Sequence, residues 1–299
     1  MKTATLIPMK RPERLIEKAR NYLEDMEAFL SDIPDAVTTI LEALPHADTP
    51  LLLKMLPLLG FGGKDRVLWP LYHLMREASK DESVCRSAAV QLGLAASLSN
   101  DPSALMAELI KNLSHPKPSI RSRCALALGW EGNWPAVESL MSQMSDPDRN
   151  VQAAVVAALT SIGGLRVFDL LTARLKIGTV EEQRSILLNL WRFAEKIPHV
   201  EDVYLASMET LSPDLRLDVL SGLAMVPLST TILDRYRQLL READLRFRRQ
   251  VLENLSAEDP VDYALLKDIL YVLLTDKDAQ IRQAATRLLA KREVFPLIK

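Results

Sequence analysis

Apolar residues recur along this chain three, four and seven positions after a basic or amide residue, and the whole pattern repeats about every 32 residues. Offsets of three, four and seven place apolar side chains on one face of an α-helix. A fixed repeat of this length is typical of stacked two-helix units, and no segment shows the sustained two-residue alternation of an exposed strand. We call the polar residues from which these offsets are counted the marker residues: Lys54, Arg86, Arg121, Gln152, Arg184, Arg216, Arg248 and Arg282.

Short turns rich in proline and aspartate precede four of the marker residues. Proline and aspartate end one helix and cap the next, so each unit is predicted as helix A, a turn and helix B, with the marker residue near the start of helix B. The turns occupy residues 115–118, 145–148, 211–214 and 275–278, and the predicted A helices occupy residues 105–113, 137–144, 167–175, 204–211, 233–240 and 265–274.

The turn and the first residues of helix B resemble HEAT repeats, in which an aspartate in the turn is followed by an apolar residue and an arginine. The segments that carry this resemblance are residues 148–152 (DRNVQ), 214–216 (DLR) and 278–282 (DAQIR). The resemblance covers residues 80–295. It implies an all-α fold, a right-handed α–α superhelix of about seven HEAT-like helix pairs with an N-terminal helical cap.

The predicted organisation is an N-terminal tail with one or two capping helices in residues 1–45, followed by one continuous repeat array in residues 46–299. The first repeat is the weakest match, because Pro57 falls where helix B would continue. Residues 1–11 are predicted to be loose. The apolar C-terminal segment 293–299 is predicted either to cap the last repeat or to dock onto another chain.

Composition and charge narrow the possible functions. The chain has 37 basic and 39 acidic residues, a balance that argues against a nucleic-acid binder with a basic excess. Cys85 and Cys124 lie inside predicted helices and are expected to be reduced and packed, which fits a cytoplasmic location. The most apolar run, residues 51–59, is too short to span a membrane, and the N terminus lacks the apolar core of a signal peptide.

Catalytic and metal-binding motifs are not evident in the sequence. HEAT proteins of the deoxyhypusine hydroxylase kind carry His-Glu pairs, whereas no histidine of this chain is followed by glutamate. The glycine-rich segment 60–65 lacks the first glycine and the serine or threonine of a phosphate loop. The sequence therefore predicts no catalytic residue, metal site or cofactor. The four histidines are His46, His73, His115 and His199.

The marker residues allow two interpretations. An arginine near the start of a helix opposes the helix dipole and needs a nearby carboxylate. A structural Asp–Arg ladder between neighbouring repeats is therefore favoured over an anion-binding ladder. The third repeat has no acidic residue near its marker, so Lys117, Arg121 and Arg123 are predicted to form a positive patch unless Asp81 or Glu82 pairs with Arg121. The arginines of residues 235–249 alternate with acidic residues and are predicted to form a solvated helix face.

The B helices of such arrays line the concave side, which is the usual binding surface. Offsets of one, two and five from the marker residue are predicted to face outward, and in the middle of the array small residues occupy them. These residues suit either a partner helix or peptide lying across the array, or close packing between adjacent B helices, with neither favoured. The predicted partner-binding residues are Lys117, Arg121, Arg123, Leu126, Ala153, Ala154, Ala157 and Ile186.

The function predicted from these features is a non-catalytic scaffold or adaptor that binds a protein partner on its concave face, an acidic partner if the positive patch is open. A DNA-binding or DNA-glycosylase-like HEAT protein is the main alternative, and a bilin-lyase-like HEAT protein, for which the chain offers no motif, is a further one. The glycosylase comparison is weakened because no tryptophan has an aspartate four residues later. The tryptophans are Trp69, Trp130, Trp134 and Trp191.

Overall fold

The computed structural model describes residues 11–77, 79–242, 244–257 and 263–293, which form α-helices and short turns with no strand among them. The predicted all-α fold is confirmed. The helices are α1 (Arg11–Glu24), α2 (Met26–Ser31), α3 (Ile33–Ala43), α4 (Thr49–Gly62), α5 (Leu68–Arg76), α6 (Glu82–Ser97), α7 (Ser103–Asn112), α8 (Pro118–Leu128), α9 (Val137–Ser142), α10 (Arg149–Ile162), α11 (Leu165–Ile177), α12 (Val180–Leu187), α13 (Val200–Thr210), α14 (Pro213–Leu223), α15 (Thr230–Leu239), α16 (Leu245–Ala257), α17 (Tyr263–Leu273) and α18 (Ala279–Glu293).

Helices A and B alternate from α3 onward, so the described residues contain eight helix pairs, from α3/α4 to α17/α18. All marker residues lie in B helices, as predicted. The count exceeds the predicted seven because α4 continues through Pro57 and forms a complete pair with α3. Pro57 removes one backbone donor, but it lies on the exposed side of α4, where water can hydrogen-bond to the carbonyl left without a partner. The segments 1–10 and 294–299 lie outside the described residues.

The chain divides into two compact units, Met1–Gly163 and Gly164–Lys299. In the first unit the B helices α4, α6, α8 and α10 pack side by side in chain order, while α1 and α2 pack on α3. In the second unit α12, α14, α16 and α18 pack in the same way. Each unit therefore has a wall of consecutive B helices.

The buried face of the B helices follows the predicted offsets closely at two of three positions. At offset seven the residues are buried in every repeat from the second onward except at Trp191, which is half-buried. At offset four the prediction is wrong for Val90, Leu188 and Thr286, which are exposed, because this offset lies at the edge of the apolar stripe. At offset three all residues are buried: Ala89, Cys124, Val155, Leu187, Val219, Val251 and Ala285.

Small residues allow the B helices of the first unit to approach one another closely. A methyl group on Gly93 of α6 would lie 3.0 Å from the Ala127 carbonyl oxygen of α8. One on Gly129, at the end of α8, would lie 2.7 Å from the Ala158 Cα of α10, closer than real contacts permit. Both glycines therefore lie where the B helices pack closely, and the packing is tighter at Gly129 than at Gly93.

Candidate partner-binding surface

Four of the marker arginines join their repeat to the next one: Arg121, Arg184, Arg216 and Arg248. The Arg121 guanidinium donates to both carboxylate oxygens of Asp146 in the following turn, at 2.7 and 2.8 Å, and to the His115 carbonyl of its own turn at 2.9 Å. Arg248 does the same with the Asp276 carboxylate at 2.8 Å and the Glu242 carbonyl at 2.9 Å. A planar guanidinium with several donors suits this double role.

The same link recurs at other repeats of the second unit. Arg184 of α12 contacts Asp218 of α14 at 2.9 Å, and Arg216 contacts Glu242 at 2.6 Å. The predicted structural Asp–Arg ladder is therefore present at these repeats. Burial opposes the ionisation of Asp146, but the hydrogen bonds from Arg121 prevail, and the pKa of Asp146 lies below its usual value.

The prediction of an open positive patch is wrong for Arg121 and Arg123. Arg121 is paired with Asp146, a carboxylate of the following turn that the sequence pattern did not assign to it. Arg123 is only 6% exposed, pairs with Glu82 and donates to the Met75 carbonyl at 2.7 Å. Because both guanidinium groups are engaged within the fold, Lys117 alone of the three is exposed.

The prediction that offset two faces outward is wrong for four repeats, in which the residue is buried: Ala88, Arg123, Ala154 and Ile186. Ala154 is 2% exposed and Ile186 is 0% exposed. Leu126 and Ala157 are half-buried, and Ala153 is exposed. Of the two interpretations of the small residues, close helix packing holds for Ala154, and only Ala153, Ala157 and Leu126 are accessible to a partner.

The exposed sides of α4 and α6 carry large apolar residues instead. On α4, Leu53 and Phe61 are 36% and 54% exposed, and on α6, Val90 and Leu94 are 48% and 41% exposed. Members of each stripe are separated by four or eight residues, so they share one side of their helix. α4 and α6 pack directly on each other, so the two stripes lie on adjacent helices. We call the exposed residues of these two stripes the α4/α6 face: Leu53, Pro57, Phe61, Arg86, Val90 and Leu94.

Comparison with known protein families gives one match, in the middle of the chain. Residues 106–190 match the family model for HEAT repeats. This segment consists of HEAT repeats. It runs from α7 to the residues that follow α12, and it contains the Arg121 and Arg184 links described above. The resemblance stated from the sequence is confirmed for the HEAT segment. A search of curated proteins gave no match.

Several solved structures are similar to the chain, among them the following three. Human deoxyhypusine hydroxylase in complex with glycerol is 16% identical, with a TM-score of 0.34, over 82% of this chain and 96% of that one. An engineered protein is 18% identical, with a TM-score of 0.36, over 94% and 84%. The complex of CpcE and CpcF of phycocyanin lyase from Nostoc sp. PCC7120 is 16% identical, with a TM-score of 0.36, over 97% and 98%.

The cysteines are packing residues in this fold. Burial raises the pKa of Cys124, inside the HEAT segment, to about 12, and also raises the pKa of Cys85. Both thiols are therefore protonated at neutral pH, the unreactive form. In the part of the chain that the structure describes, no group of three or more His, Cys, Asp or Glu residues is arranged to hold a metal ion. None of the helices described is long and apolar enough to cross a membrane.

Two open grooves lie between adjacent A helices. In the first unit, a groove of about 610 Å³ between α3 and α5 is lined by Leu44, His73 and Arg76 among others. In the second unit, a groove of about 670 Å³ beside α11 and α13 is lined by Leu175 and His199 among others. Their linings mix polar and apolar groups, whereas five of the six residues of the α4/α6 face are apolar.

The marker pattern missed the α4 stripe of the α4/α6 face for a definable reason. The pattern of buried and exposed positions along α4 closely follows that along α6 when Leu52 is aligned with Cys85 and Leu56 with Ala89. In this alignment Leu53, and not Lys54, corresponds to Arg86. The spacing of apolar residues within residues 51–59 contained the information needed to find this alignment. Aligned on Lys54, the first repeat is one residue out of register, which hides the exposed stripe.

Proposed function

We propose that this protein is a non-catalytic scaffold that binds a helix or extended peptide of a protein partner on the α4/α6 face. The observation that carries the proposal is the exposure of Leu53, Phe61, Val90 and Leu94 on two directly packed B helices. Grouped exposed apolar side chains are characteristic of interaction sites, whereas single ones are ordinary on any surface.

The dimensions of the face suit a partner helix. Residues four apart on a helix are separated by about 6 Å along its axis, and packed helices lie about 8–10 Å apart. An amphipathic helix presents its own apolar residues at the same spacing, so it can lie along the two stripes. Covering half of one large apolar side chain contributes about 1 kcal/mol, so the four side chains together supply a few kcal/mol.

Site-specific photo-crosslinking tests this proposal. A photoreactive phenylalanine analogue replaces Val90 or Leu94, and a control variant carries it at Ile177, an exposed apolar residue of α11 in the second unit. After irradiation in native extract, we expect a protein adduct of defined mass from positions 90 and 94 that is insensitive to nuclease. The same adduct from position 177, or an adduct that disappears with nuclease, would overturn the proposal, the latter in favour of a nucleic-acid partner.

A further inference from the structure

We infer that the partner segment bound by the α4/α6 face is an amphipathic helix with acidic residues beside its apolar stripe. This inference rests on the proposed function and adds the chemistry of the partner. It is carried by the charges of the B helices in the first unit.

The B helices of the first unit are unusually poor in acidic residues. Helices α4, α8 and α10 contain no Asp or Glu, and α6 contains only Glu82. In contrast, α12 and α14 of the second unit each carry two acidic residues. Basic residues occur in every B helix of the first unit: Lys54, Arg86, Arg121, Arg123 and Arg149.

The acidic groups nearest this wall are engaged within the fold. Glu82 forms an ion pair with Arg123. Asp48 caps α4 by accepting a hydrogen bond from the Leu51 backbone at 3.0 Å, and Asp81 caps α6 by accepting one from Ser83 at 2.8 Å. Each cap carboxylate is stabilised at its position by the dipole of the helix that it caps.

Two exposed cations adjoin the apolar stripes directly. Arg86 lies one turn before Val90 on the exposed stripe of α6, and Lys54 follows Leu53 on α4. Both lie in the first half of their helices, so the face has one cationic end and one apolar end. A partner helix that covers Val90 and Leu94 gains from carboxylates placed one turn beyond its apolar residues, where they meet Arg86 and Lys54.

Two synthetic helical peptides test the inference. They share one leucine stripe and differ only in having glutamate or lysine beside it. Fluorescence anisotropy with the full chain at low salt is expected to show about tenfold tighter binding of the glutamate peptide, because two exposed charge pairs change sign between the peptides. The preference should shrink as salt rises and reverse in the Lys54→Glu/Arg86→Glu variant. The charge-matched control Arg166→Glu/Lys176→Glu, on α11, should keep it.

The outcomes separate this inference from the proposed function. Equal binding of both peptides, lost in Phe61→Asp, would overturn the acidic partner and still support the α4/α6 face as a helix-binding site. Binding of neither peptide, or binding that Phe61→Asp leaves unchanged, would overturn both. Tighter binding of a duplex DNA oligonucleotide than of either peptide, lost in Lys54→Glu/Arg86→Glu, would also overturn both and indicate phosphate recognition.

Discussion

At the scale of single residues, a buried arginine can determine how two repeats join. Arg121 contacts the carbonyls of its own turn and the Asp146 carboxylate of the next, and Asp146 also accepts the Asp148 backbone N–H at 2.8 Å. The Arg121–Asp146 pair therefore holds both turns in place through hydrogen bonds to their backbones. Both side chains are almost fully buried, so removing either one would leave the other as an unpaired charge inside the protein.

Removing the carboxylate of this pair should therefore destabilise the first unit strongly. We expect Asp146→Ala to lower the free energy of unfolding by about 3 kcal/mol or more, measured by urea denaturation. The control Asp234→Ala breaks an exposed pair with Arg237 and should cost less than about 1 kcal/mol. Equal effects of the two substitutions would contradict the role given to Asp146.

Tyr204 fills a break in the fifth helix B. Its hydroxyl donates to the Leu187 carbonyl at 2.6 Å and accepts from the Trp191 backbone N–H at 3.0 Å, at the point where α12 ends. The hydroxyl replaces helical hydrogen bonds that the break removes. This insertion also explains why Trp191, predicted on the buried stripe, is only half-buried.

Loss of the Tyr204 hydroxyl should destabilise the protein more than loss of an exposed tyrosine hydroxyl. We expect Tyr204→Phe to destabilise the protein by about 1–3 kcal/mol, because it leaves a buried carbonyl and a backbone N–H without partners. Thermal unfolding of Tyr204→Phe beside Tyr271→Phe, an exposed tyrosine of α17, measures the difference. A melting temperature for Tyr204→Phe as high as that of the control would refute this role.

At the scale of elements, small residues determine how closely the B helices pack against one another. Gly93 and Gly129 allow α8 to approach its two neighbours, and Ala154 is buried in the same wall. Closely packed interiors tolerate added volume poorly.

A single methyl group should be enough to disturb this wall. We expect Gly129→Ala to destabilise the first unit by about 1–3 kcal/mol, since the added carbon would meet the Ala158 backbone. Ala153→Leu, on the exposed side of α10, should change stability by no more than about 0.5 kcal/mol. Chemical denaturation of both variants checks the contrast, and a neutral Gly129→Ala would show that α8 and α10 separate easily.

Helix order and the buried offset-three stripe were predictable from sequence, because helical periodicity is a local property of the chain. The burial of Arg123 and Ala154 was not, since it depends on how closely a neighbouring helix approaches. The pairing of Arg121 with Asp146 was likewise hidden, because it spans 25 positions along the chain. The α4 stripe of the α4/α6 face was obscured by a register error of one residue, and Val90 of α6 was obscured because offset four lies at the edge of the apolar stripe.

At the scale of the whole molecule, the two compact units carry different surfaces. The first unit combines an exposed apolar face with basic B helices, whereas α12 and α14 of the second unit carry acidic residues as well. A scaffold with such an asymmetry can hold a partner through one unit and leave the other available for further contacts. The proposed function accordingly places partner binding on the first unit.

The most direct test is the dissociation constant of the crosslinked partner for purified variants, measured by calorimetry. The α4/α6 variant Phe61→Asp/Leu94→Asp is compared with Leu165→Asp/Ile177→Asp, which changes two exposed apolar residues of α11. We predict about 100-fold weaker binding for the α4/α6 variant, because each substitution removes a large apolar contact and buries a charge. The control variant should bind like the wild type. Unchanged affinity in the α4/α6 variant, with its fold intact, would contradict the proposal.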